Sequence, residues 1–215
     1  MSETVVSMAD ATRKSYDILA TDYADRFLGE LAHKPLDRAL LEIVADEAVP
    51  PAPVADVGCG PGHVAGYLYE HVSTLGLDLS PRMVEIAART HPEIGFFVAD
   101  MRSLPVPDQT WGGIVALYSI IHIPLPELPA VFAEFHRVLR PGGPILLSFH
   151  LGDELRHLDE LWDHPVSLDF HFYDRSLVEA ALVAAGFVVN AYVERRPYEH
   201  EVDTTRAYLM GHRPS

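Results

Sequence analysis

From about residue 53 onward, two kinds of segment alternate along this chain of 215 residues. One kind is a short apolar run, and the other mixes apolar and polar residues. Short runs that are almost continuously apolar predict strands that are covered on both faces of a sheet. The segments between these runs have the spacing and end signals of helices. The chain is therefore predicted to alternate strand and helix, with strands at 53–58, 73–79, 94–100, 112–119 and 143–150.

The helices are predicted from their apolar spacing and from the residues at their ends. Ser80 is a suitable N-cap, and Pro81 suits the first helical position. Over 128–139 the apolar residues recur on one helical face, and a Pro-Gly-Gly sequence then ends the helix. Asp174 and Gly186 are the N-cap and the C-terminal stop of a later helix.

The pattern changes after Gly186. Two strand-like segments follow, and a short polar turn separates them. Segments 187–196 and 202–213 are expected to pair antiparallel, because a short link permits nothing else. The fold class is predicted to be α/β, a doubly wound, mostly parallel, seven-stranded Rossmann-like sheet with an antiparallel C-terminal hairpin strand. The single domain (1–215) divides into an N-terminal helical cap (10–50), a ligand-binding core (53–150), an insertion without strand signal (151–173), and a helix with the C-terminal hairpin (174–215).

Composition narrows the possible partners and the compartment. Acidic residues outnumber basic ones 31 to 16, and the net charge of −15 disfavours a nucleic-acid partner. No apolar run is long enough to cross a bilayer, and the first residues lack the basic and apolar segments of a signal peptide. Cys59 is the only cysteine, which predicts a reducing compartment. A cytoplasmic protein with no membrane partner is expected.

The stretch VADVGCGPGHVAGYL (54–68) carries the main functional signal. Three glycines follow a strand at alternate positions and precede a helix, at the edge of the sheet where such folds bind ligands. A dinucleotide loop would have the spacing G-x-G-x-x-G and would bind pyrophosphate. Here the spacing is G-x-G-x-G, and Asp56 stands two residues before the first glycine.

The charge of Asp56 decides between two ligands. A carboxylate about 5 Å from a phosphate would cost roughly 3 kcal/mol at an effective dielectric constant of about 20. A ligand with an ammonium group and no phosphate would gain a similar amount. Asp78, at the end of the second strand, can accept from both hydroxyls of a ribose. The pattern indicates a pocket for an adenosine that carries a cationic amino-acid tail.

At these residues the sequence resembles the class I S-adenosylmethionine-dependent methyltransferases of the small-molecule type. The resemblance covers nearly the whole chain, through VADVGCGPGHVA, LGLDLSPRMVEIA, FFVADMRSLPVPDQTWGGIVALYSIIHI and FHRVLRPGGPILLSF, with SYDILATDYADRF as the preceding aromatic helix. It implies S-adenosyl-L-methionine as cofactor, S-adenosyl-L-homocysteine as product, and a small-molecule acceptor. The cofactor-binding residues that it implies are Tyr16, Tyr23, Asp56, Gly58, Cys59, Gly60, Gly62, Asp78, Leu79, Met83, Asp100, Met101, Leu117 and Tyr118.

Several of these assignments have structural alternatives. Asp100 is implied to accept from the adenine amino group, or it caps the turn that follows. Met83 suits an adenine wall or a helix core. Tyr16 and Tyr23 suit the methionine end of the cofactor or a packed helix face. Cys59 has no adjacent base and is interpreted as a small loop residue and not a nucleophile.

Catalysis requires an in-line acceptor and, for a protonated acceptor, a base. His122 and His150 follow the fourth and fifth strands and are the candidates, with hydrogen-bonded rim residues as the alternative. The insertion, with Trp162, His171 and Tyr173, is predicted to cover the acceptor pocket. No metal ligand spacing is recognised. Alternative functions are a cofactor-binding regulatory or assembly subunit and a nicotinamide-dependent oxidoreductase.

Overall fold

The computed structural model describes residues 8–215; the first seven residues, where part of the signal-peptide expectation falls, lie outside the described residues. The helices are α1 (Met8–Phe27), α2 (Pro35–Glu47), α3 (His63–Tyr69), α4 (Pro81–Thr90), α5 (Leu128–Val138) and α6 (Arg175–Ala184). The strands are β1 (Val54–Val57), β2 (Thr74–Asp78), β3 (Gly95–Val98), β4 (Gly113–Leu117), β5 (Pro144–His150), β6 (Leu155–Leu161), β7 (His164–His171), β8 (Val188–Arg195) and β9 (Arg206–His212).

The main sheet has seven strands in the order β3-β2-β1-β4-β5-β9-β8. The first five pair in parallel, and β9 runs antiparallel to both β5 and β8. The predicted α/β class, the seven strands and the C-terminal hairpin are confirmed. The strand order reverses at β1, so a ligand cleft is expected beyond the carboxyl ends of β1 and β4.

The central strands are buried on both faces, as their apolar runs predict. Every residue of β1 is buried, and so are all residues of β5 except His150. The helix over 128–139 packs its predicted apolar face on the sheet, with Phe132 and Phe135 fully buried. The sheet is therefore a rigid base for the loops at the ends of its strands. None of the helices within 8–215 is long and apolar enough to cross a membrane.

The insertion is a β-hairpin, so the prediction of a segment without strands is wrong. Strands β6 and β7 pair antiparallel in a separate two-stranded sheet. They are joined by Trp162 and Asp163, which have φ values of 52° and 63°. Two consecutive positive φ values form a type I′ turn, whose usual signal is Asn-Gly. The turn lacks that signal, and the polar sequence LRHLDEL of β6 lacks an apolar run.

Helix α1 lies against α4 on one side and the β6–β7 hairpin on the other. Asp17 Oδ1 accepts hydrogen bonds from Ser80 Oγ at 2.6 Å and from the backbone N–H of Arg82 at 3.2 Å. At the hairpin, Ser15 Oγ accepts from the backbone N–H of Ser167 at 2.9 Å. Within the predicted N-terminal helical cap (10–50), this first helix ends at Phe27 and α2 follows from Pro35. The position of α1 makes it one wall of the cleft described next.

Candidate functional site

A cleft at the carboxyl ends of β1, β2 and β4 has an empty volume of about 820 Å³, including its open mouth. Most of the residues that the family resemblance implies for the cofactor line it: Tyr16, Tyr23, Gly58, Gly60, Asp78, Leu79, Met83, Asp100, Met101, Leu117 and Tyr118, together with the candidate base His122. Four predicted residues do not: Asp56, Cys59, Gly62 and His150.

The glycine loop needs its glycines for different steric reasons. Gly58 has φ +81°, and a Cβ there would lie 2.2 Å from Ser119 Cβ, so glycine lets the β4 end pack against the loop. Gly60 has φ +53°, and a Cβ would stand 3.7 Å from the Tyr23 ring on α1. Gly60 thus leaves space free between loop and helix. The cradle fits a ligand that lies directly on backbone.

Asp78 fixes the position of the glycine loop. Its carboxylate accepts from the backbone N–H of Gly60 and from that of Ser80, each at 2.8 Å. Burial, partly offset by these bonds, raises the pKa of Asp78 to about 6. A carboxylate has about four acceptor positions, so the backbone bonds from Gly60, Ser80 and Leu79 leave at least one for a ribose hydroxyl.

Asp56 lies behind the wall of the cleft, while Val57 and Gly58, which follow it, line the wall. It is 2% exposed and accepts one hydrogen bond from the backbone N–H of Ala65 in the first turn of α3. Its Oδ2 atom has no hydrogen-bond partner. Burial, followed by repulsion from Asp78, raises the pKa of Asp56 to about 8. The carboxyl group therefore supports α3 and leaves one oxygen unsatisfied.

Asp100 serves the turn that follows it and also lines the cleft. It accepts from the backbone N–H of Arg102 at 3.0 Å, and the Arg102 guanidinium bonds both of its oxygens, at 3.0 and 2.7 Å. These bonds lower the pKa of Asp100 against the effect of burial. Arg102 therefore supplies a donor to each acceptor position of the carboxylate, so in this structure Asp100 serves the turn, and its role toward an adenine amino group stays a prediction. Met83, 1% exposed, serves both as helix core and as cleft wall.

Tyr16 and His122 are joined, although they are 106 positions apart in the sequence. Tyr16 Oη and His122 Nε2 are 2.7 Å apart, and His122 Nδ1 is 2.8 Å from the carbonyl oxygen of Asp169 on β7. A carbonyl only accepts, so Nδ1 carries the proton and Nε2 accepts from the tyrosine hydroxyl. Burial lowers the pKa of His122 to about 4. The neutral imidazole therefore ties α1 and the hairpin to the end of β4.

His150 has a different environment. Its Nδ1 lies 2.9 Å from Thr204 Oγ1, and its ring stacks on Phe172 with centroids 5.3 Å apart. Burial, followed by the nearby Arg206 and Arg156, lowers the pKa of His150 to about 4. It contacts the site through the Tyr118 ring, at 5.3 Å between centroids.

Tyr118 stands on a buried polar network that sequence reading missed. Its φ is 52°, and its hydroxyl lies 2.9 Å from that of Tyr208. Tyr208 donates to Asp37 at 2.8 Å and accepts from Arg195 at 3.0 Å, so Tyr118 donates to Tyr208. A non-glycine residue with positive φ persists only where its surroundings fix it. The network spans four elements, and no local sequence pattern indicates it.

The aromatic residues of the insertion contact two different parts of the molecule, helix α1 and the loop after β4. Trp162 lies at the hairpin turn, with its ring centroid 6.1 Å from that of Tyr23 and 5.9 Å from that of Phe27. Tyr173 donates its hydroxyl to the carbonyl of Ile120 at 2.8 Å, below the loop that holds His122. The hairpin therefore supports the α1 wall, and the predicted cover over the acceptor remains a prediction.

Further cleft residues were not predicted. Ser119 follows Tyr118 and donates to the carbonyl of Val57 at 2.7 Å, which joins β4 to the glycine loop. Its position at the end of a predicted strand could have identified Ser119 as a cleft residue from the sequence. The others are Met8, Ala9, Thr12, Val57, Ala99, Arg102 and Ile123, which belong to segments adjoining predicted residues.

Comparisons with known proteins agree with this geometry. A family profile described as a methyltransferase domain matches residues 54–143. A malonyl-[acyl-carrier protein] O-methyltransferase from Serratia marcescens is 28% identical over 164 residues, 74% of this chain and 58% of that protein. The protein of the same name from Hahella chejuensis is 34% identical over 63% of this chain and 50% of its own. The chain spans about half the length of these curated relatives.

A solved structure extends the likeness to the whole fold. The magnesium protoporphyrin IX methyltransferase from Synechocystis PCC 6803, solved with bound S-adenosylmethionine, superposes with a TM-score of 0.75 at 17% identity. The match covers 99% of this chain and all of that chain. At this identity the likeness establishes the fold alone.

Proposed function

We propose that this chain, whose residues 54–143 are a methyltransferase domain of the class I S-adenosylmethionine-dependent family, transfers a methyl group from S-adenosylmethionine to a small organic acceptor. The observation that carries the proposal is the bond from Gly60 to Asp78, which sets a bare backbone cradle and an ionisable ribose partner side by side. The residues fit the cofactor, since Gly60 leaves the space that a side chain would fill.

The chain's own residues would position the reactants. Bound S-adenosylmethionine supplies a methyl group already activated by its sulfonium sulfur. Asp78 would hold the ribose, Asp100 and Met101 the adenine edge, and the glycine loop the amino-acid end. Leu117 and Tyr118, at the end of β4, would lie near the reacting centre. Holding an acceptor in line can lower a barrier by up to about 7–11 kcal/mol.

The two candidate bases are not equivalent. His122 has both ring nitrogens engaged, so the Tyr16 hydroxyl would be the group that an acceptor meets. His150 is held neutral and its Nδ1 alone is bonded to Thr204, but a pKa of about 4 makes it a weak base, and it lies behind Tyr118, outside the residues that line the cleft. We assign His122 to positioning, and His150 stays the remaining candidate base for an acceptor whose proton must leave.

The acceptor class is inferred from charge and from the relatives. A net charge of −15 opposes binding to the phosphate backbone of nucleic acid. The relatives named for a malonyl group on acyl-carrier protein match 74% and 63% of this chain, but these matches cover only 58% and 50% of their own lengths, so their acceptor does not carry over. We therefore favour a free small molecule. The single cysteine supports a cytoplasmic location.

Calorimetry with S-adenosylmethionine tests the proposed site. We expect micromolar affinity that Asp78→Asn weakens at least tenfold, because the ribose then loses a charged acceptor, about 1.5 kcal/mol or more. Asp108→Asn, an exposed carboxylate paired with Arg137, is the matched control and should bind as the wild type does. Equal affinity of the wild type and Asp78→Asn would exclude this site.

Transfer itself is tested by mass spectrometry. Small molecules that copurify with the protein should include the cofactor or its product, and radiolabelled methyl should pass to one of a panel of acceptors. Binding without transfer to any acceptor would support the regulatory-subunit alternative. Fluorescence enhancement of NADH on mixing would instead favour the oxidoreductase.

A further inference from the structure

The Tyr16 hydroxyl lines the cleft with its proton already committed to the protein. His122 Nδ1 donates to the carbonyl oxygen of Asp169, so Nε2 of the same ring carries only a lone pair. The Tyr16 hydroxyl, 2.7 Å from that Nε2, must therefore donate to it. A phenol has one proton and two lone pairs, so the Tyr16 oxygen can only accept a hydrogen bond from a molecule in the cleft.

Two side chains at the end of β4 are committed in the same direction. Tyr118 donates its hydroxyl proton to Tyr208, whose own proton goes to Asp37. Ser119 Oγ donates to the carbonyl oxygen of Val57 at 2.7 Å. Like the Tyr16 hydroxyl, these two hydroxyl groups offer lone pairs and no proton to a ligand. This end of the cleft therefore suits a ligand group that carries hydrogen.

The charged groups of the cleft favour a cation over an anion. Among the described residues that line it, Asp78 and Asp100 are the carboxylates and Arg102 is the only cation. The Arg102 guanidinium is paired with Asp100 at 2.7 Å and with Glu127 at 3.3 Å. A positively charged ligand is attracted by this lining, and a negatively charged one meets a cation that is already engaged.

Lys34 approaches the same end of the cleft, but its charge is also balanced. Its Nζ lies 5.7 Å from the centre of the Tyr118 ring. The ammonium group is paired with Glu30 at 2.7 Å and with Glu201 at 3.1 Å. A carboxylate placed at the end of β4 would therefore face lone pairs and engaged cations, and burying an unpaired charge is costly.

Neither candidate base is placed to take a proton from a methyl acceptor. His122 has both ring nitrogens engaged, and His150 lies behind Tyr118, outside the residues that line the cleft. An alcohol needs a base, because its proton must leave as its oxygen is methylated. A neutral amine attacks with its own lone pair and loses a proton afterwards. The arrangement therefore fits an amine better than an alcohol.

We propose that the methyl acceptor is a primary or secondary amine, whose N–H donates to the Tyr16 oxygen while its lone pair faces the methyl group of S-adenosylmethionine. The inference rests on the proposed function and names the substrate class of that site. The S–CH₃ bond breaks with its electron pair passing to sulfur, and the amine lone pair forms the N–CH₃ bond. The product ammonium then gives one proton to water.

Transfer of radiolabelled methyl to matched acceptors tests the class. Each set shares one carbon skeleton: benzylamine, benzyl alcohol and benzoate in one, and butylamine, butanol and butanoate in the other. Assays at pH 9 keep about a tenth of an amine of pKa about 10 in its neutral form. We expect transfer to the amines at least a hundredfold faster than to the alcohol or carboxylate of the same skeleton.

The outcomes separate this inference from the proposed function. Transfer to a carboxylate or an alcohol at the rate of the matched amine would overturn the inference and leave the proposed function standing. If S-adenosylmethionine binds but neither amine accepts the methyl group, the inference is wrong and the cofactor site stands. If S-adenosylmethionine does not bind, the proposed function itself is wrong.

Amines of different substitution isolate the role of Tyr16. N-methylbenzylamine keeps one N–H for the Tyr16 oxygen, and N,N-dimethylbenzylamine has none. In the wild type we expect kcat/KM to be about five- to tenfold higher for the secondary amine, the effect of one hydrogen bond. In Tyr16→Phe the two values should agree within twofold, while Tyr192→Phe, at an exposed position, keeps the wild-type ratio. A ratio that Tyr16→Phe leaves unchanged would contradict the assignment.

The proton positions can be tested without any substrate. Nitrogen-15 NMR of histidine-labelled protein at pH 7 should show His122 with its proton on Nδ1, and the signal is assigned by its absence in His122→Gln. A proton on Nε2 would leave the Tyr16 hydroxyl free to donate and would overturn the inference. If Tyr16→Phe does not fold, this spectrum and the ratio of the two amines on the wild type decide.

Discussion

The two walls of the cleft are built by different means. The wall from β1 and β2 is largely backbone: Gly58 and Gly60 belong to one loop, and Asp78, 18 positions after Gly60, accepts from its backbone N–H. The opposite wall is made of side chains on α1, held by contacts to α4, to the end of β4 and to the β6–β7 hairpin. The first wall is fixed by local geometry, and the second depends on long-range pairs that can be broken one at a time.

The largest expected effect lies in the backbone wall. Gly58→Ala places a Cβ 2.2 Å from Ser119 Cβ at φ +81°. Left-handed backbone and overpacking together should lower the free energy of unfolding by about 3 kcal/mol and abolish cofactor binding. Urea unfolding and calorimetry measure both. Gly29→Ala is the control, because nothing lies within 4 Å of its Cβ; equal effects of the two would refute the steric argument.

The side-chain wall should depend on pH through His122. Its pKa is near 4 in the fold against about 6.5 unfolded, so the unfolded chain gains the proton first as pH falls. Stability is therefore lost between pH 6.5 and 4, by up to about 3 kcal/mol from this residue. Buried Asp56 and Asp78 have raised pKa values and act in the opposite direction.

A difference measurement isolates the histidine. His122→Gln can both donate to Asp169 and accept from Tyr16, and it does not titrate. The slope of unfolding free energy against pH should be smaller in this variant by up to one proton between pH 6.5 and 4. His200→Gln, at an exposed turn, is the control. An unchanged slope in His122→Gln would show that His122 is not buried as a neutral group.

The sequence predicts the backbone wall of the cleft better than the side-chain wall. The loop residues from Asp56 to Gly62 lie within seven positions, so their spacing is visible in the sequence. The pairing of Tyr16 with His122 and Asp169 joins three distant segments, and both histidine nitrogens are committed only by tertiary structure. Tyr16 was predicted for the cofactor and His122 for catalysis. Neither pattern could show that they bond to each other.

A smaller effect is expected from the hydrogen bond that holds Tyr16 of α1 to His122 after β4. Tyr16→Phe leaves His122 Nε2 buried without a donor, which should cost about 1–3 kcal/mol of unfolding free energy. Because the hydroxyl also ties α1 to the core, S-adenosylhomocysteine should dissociate faster, as stopped-flow fluorescence would measure. Tyr192→Phe, on an exposed position of β8, should change neither quantity. If Tyr16→Phe lowers the free energy of unfolding no more than Tyr192→Phe does, the bond between Tyr16 and His122 contributes nothing to stability.

The smallest effect tests the hairpin that the sequence did not reveal. Asp163 has φ +63° in a two-residue turn, where glycine is unstrained and most other residues are not. Asp163→Gly should therefore raise the free energy of unfolding by about 0.5 kcal/mol. Glu160→Gly, at an exposed position of β6 that is paired with Pro165, should lower it by about 0.5–1 kcal/mol, because glycine gains nothing there and loses more entropy. In an irregular insertion the two substitutions would act alike, so opposite signs in thermal unfolding would establish that 155–171 is a hairpin in solution.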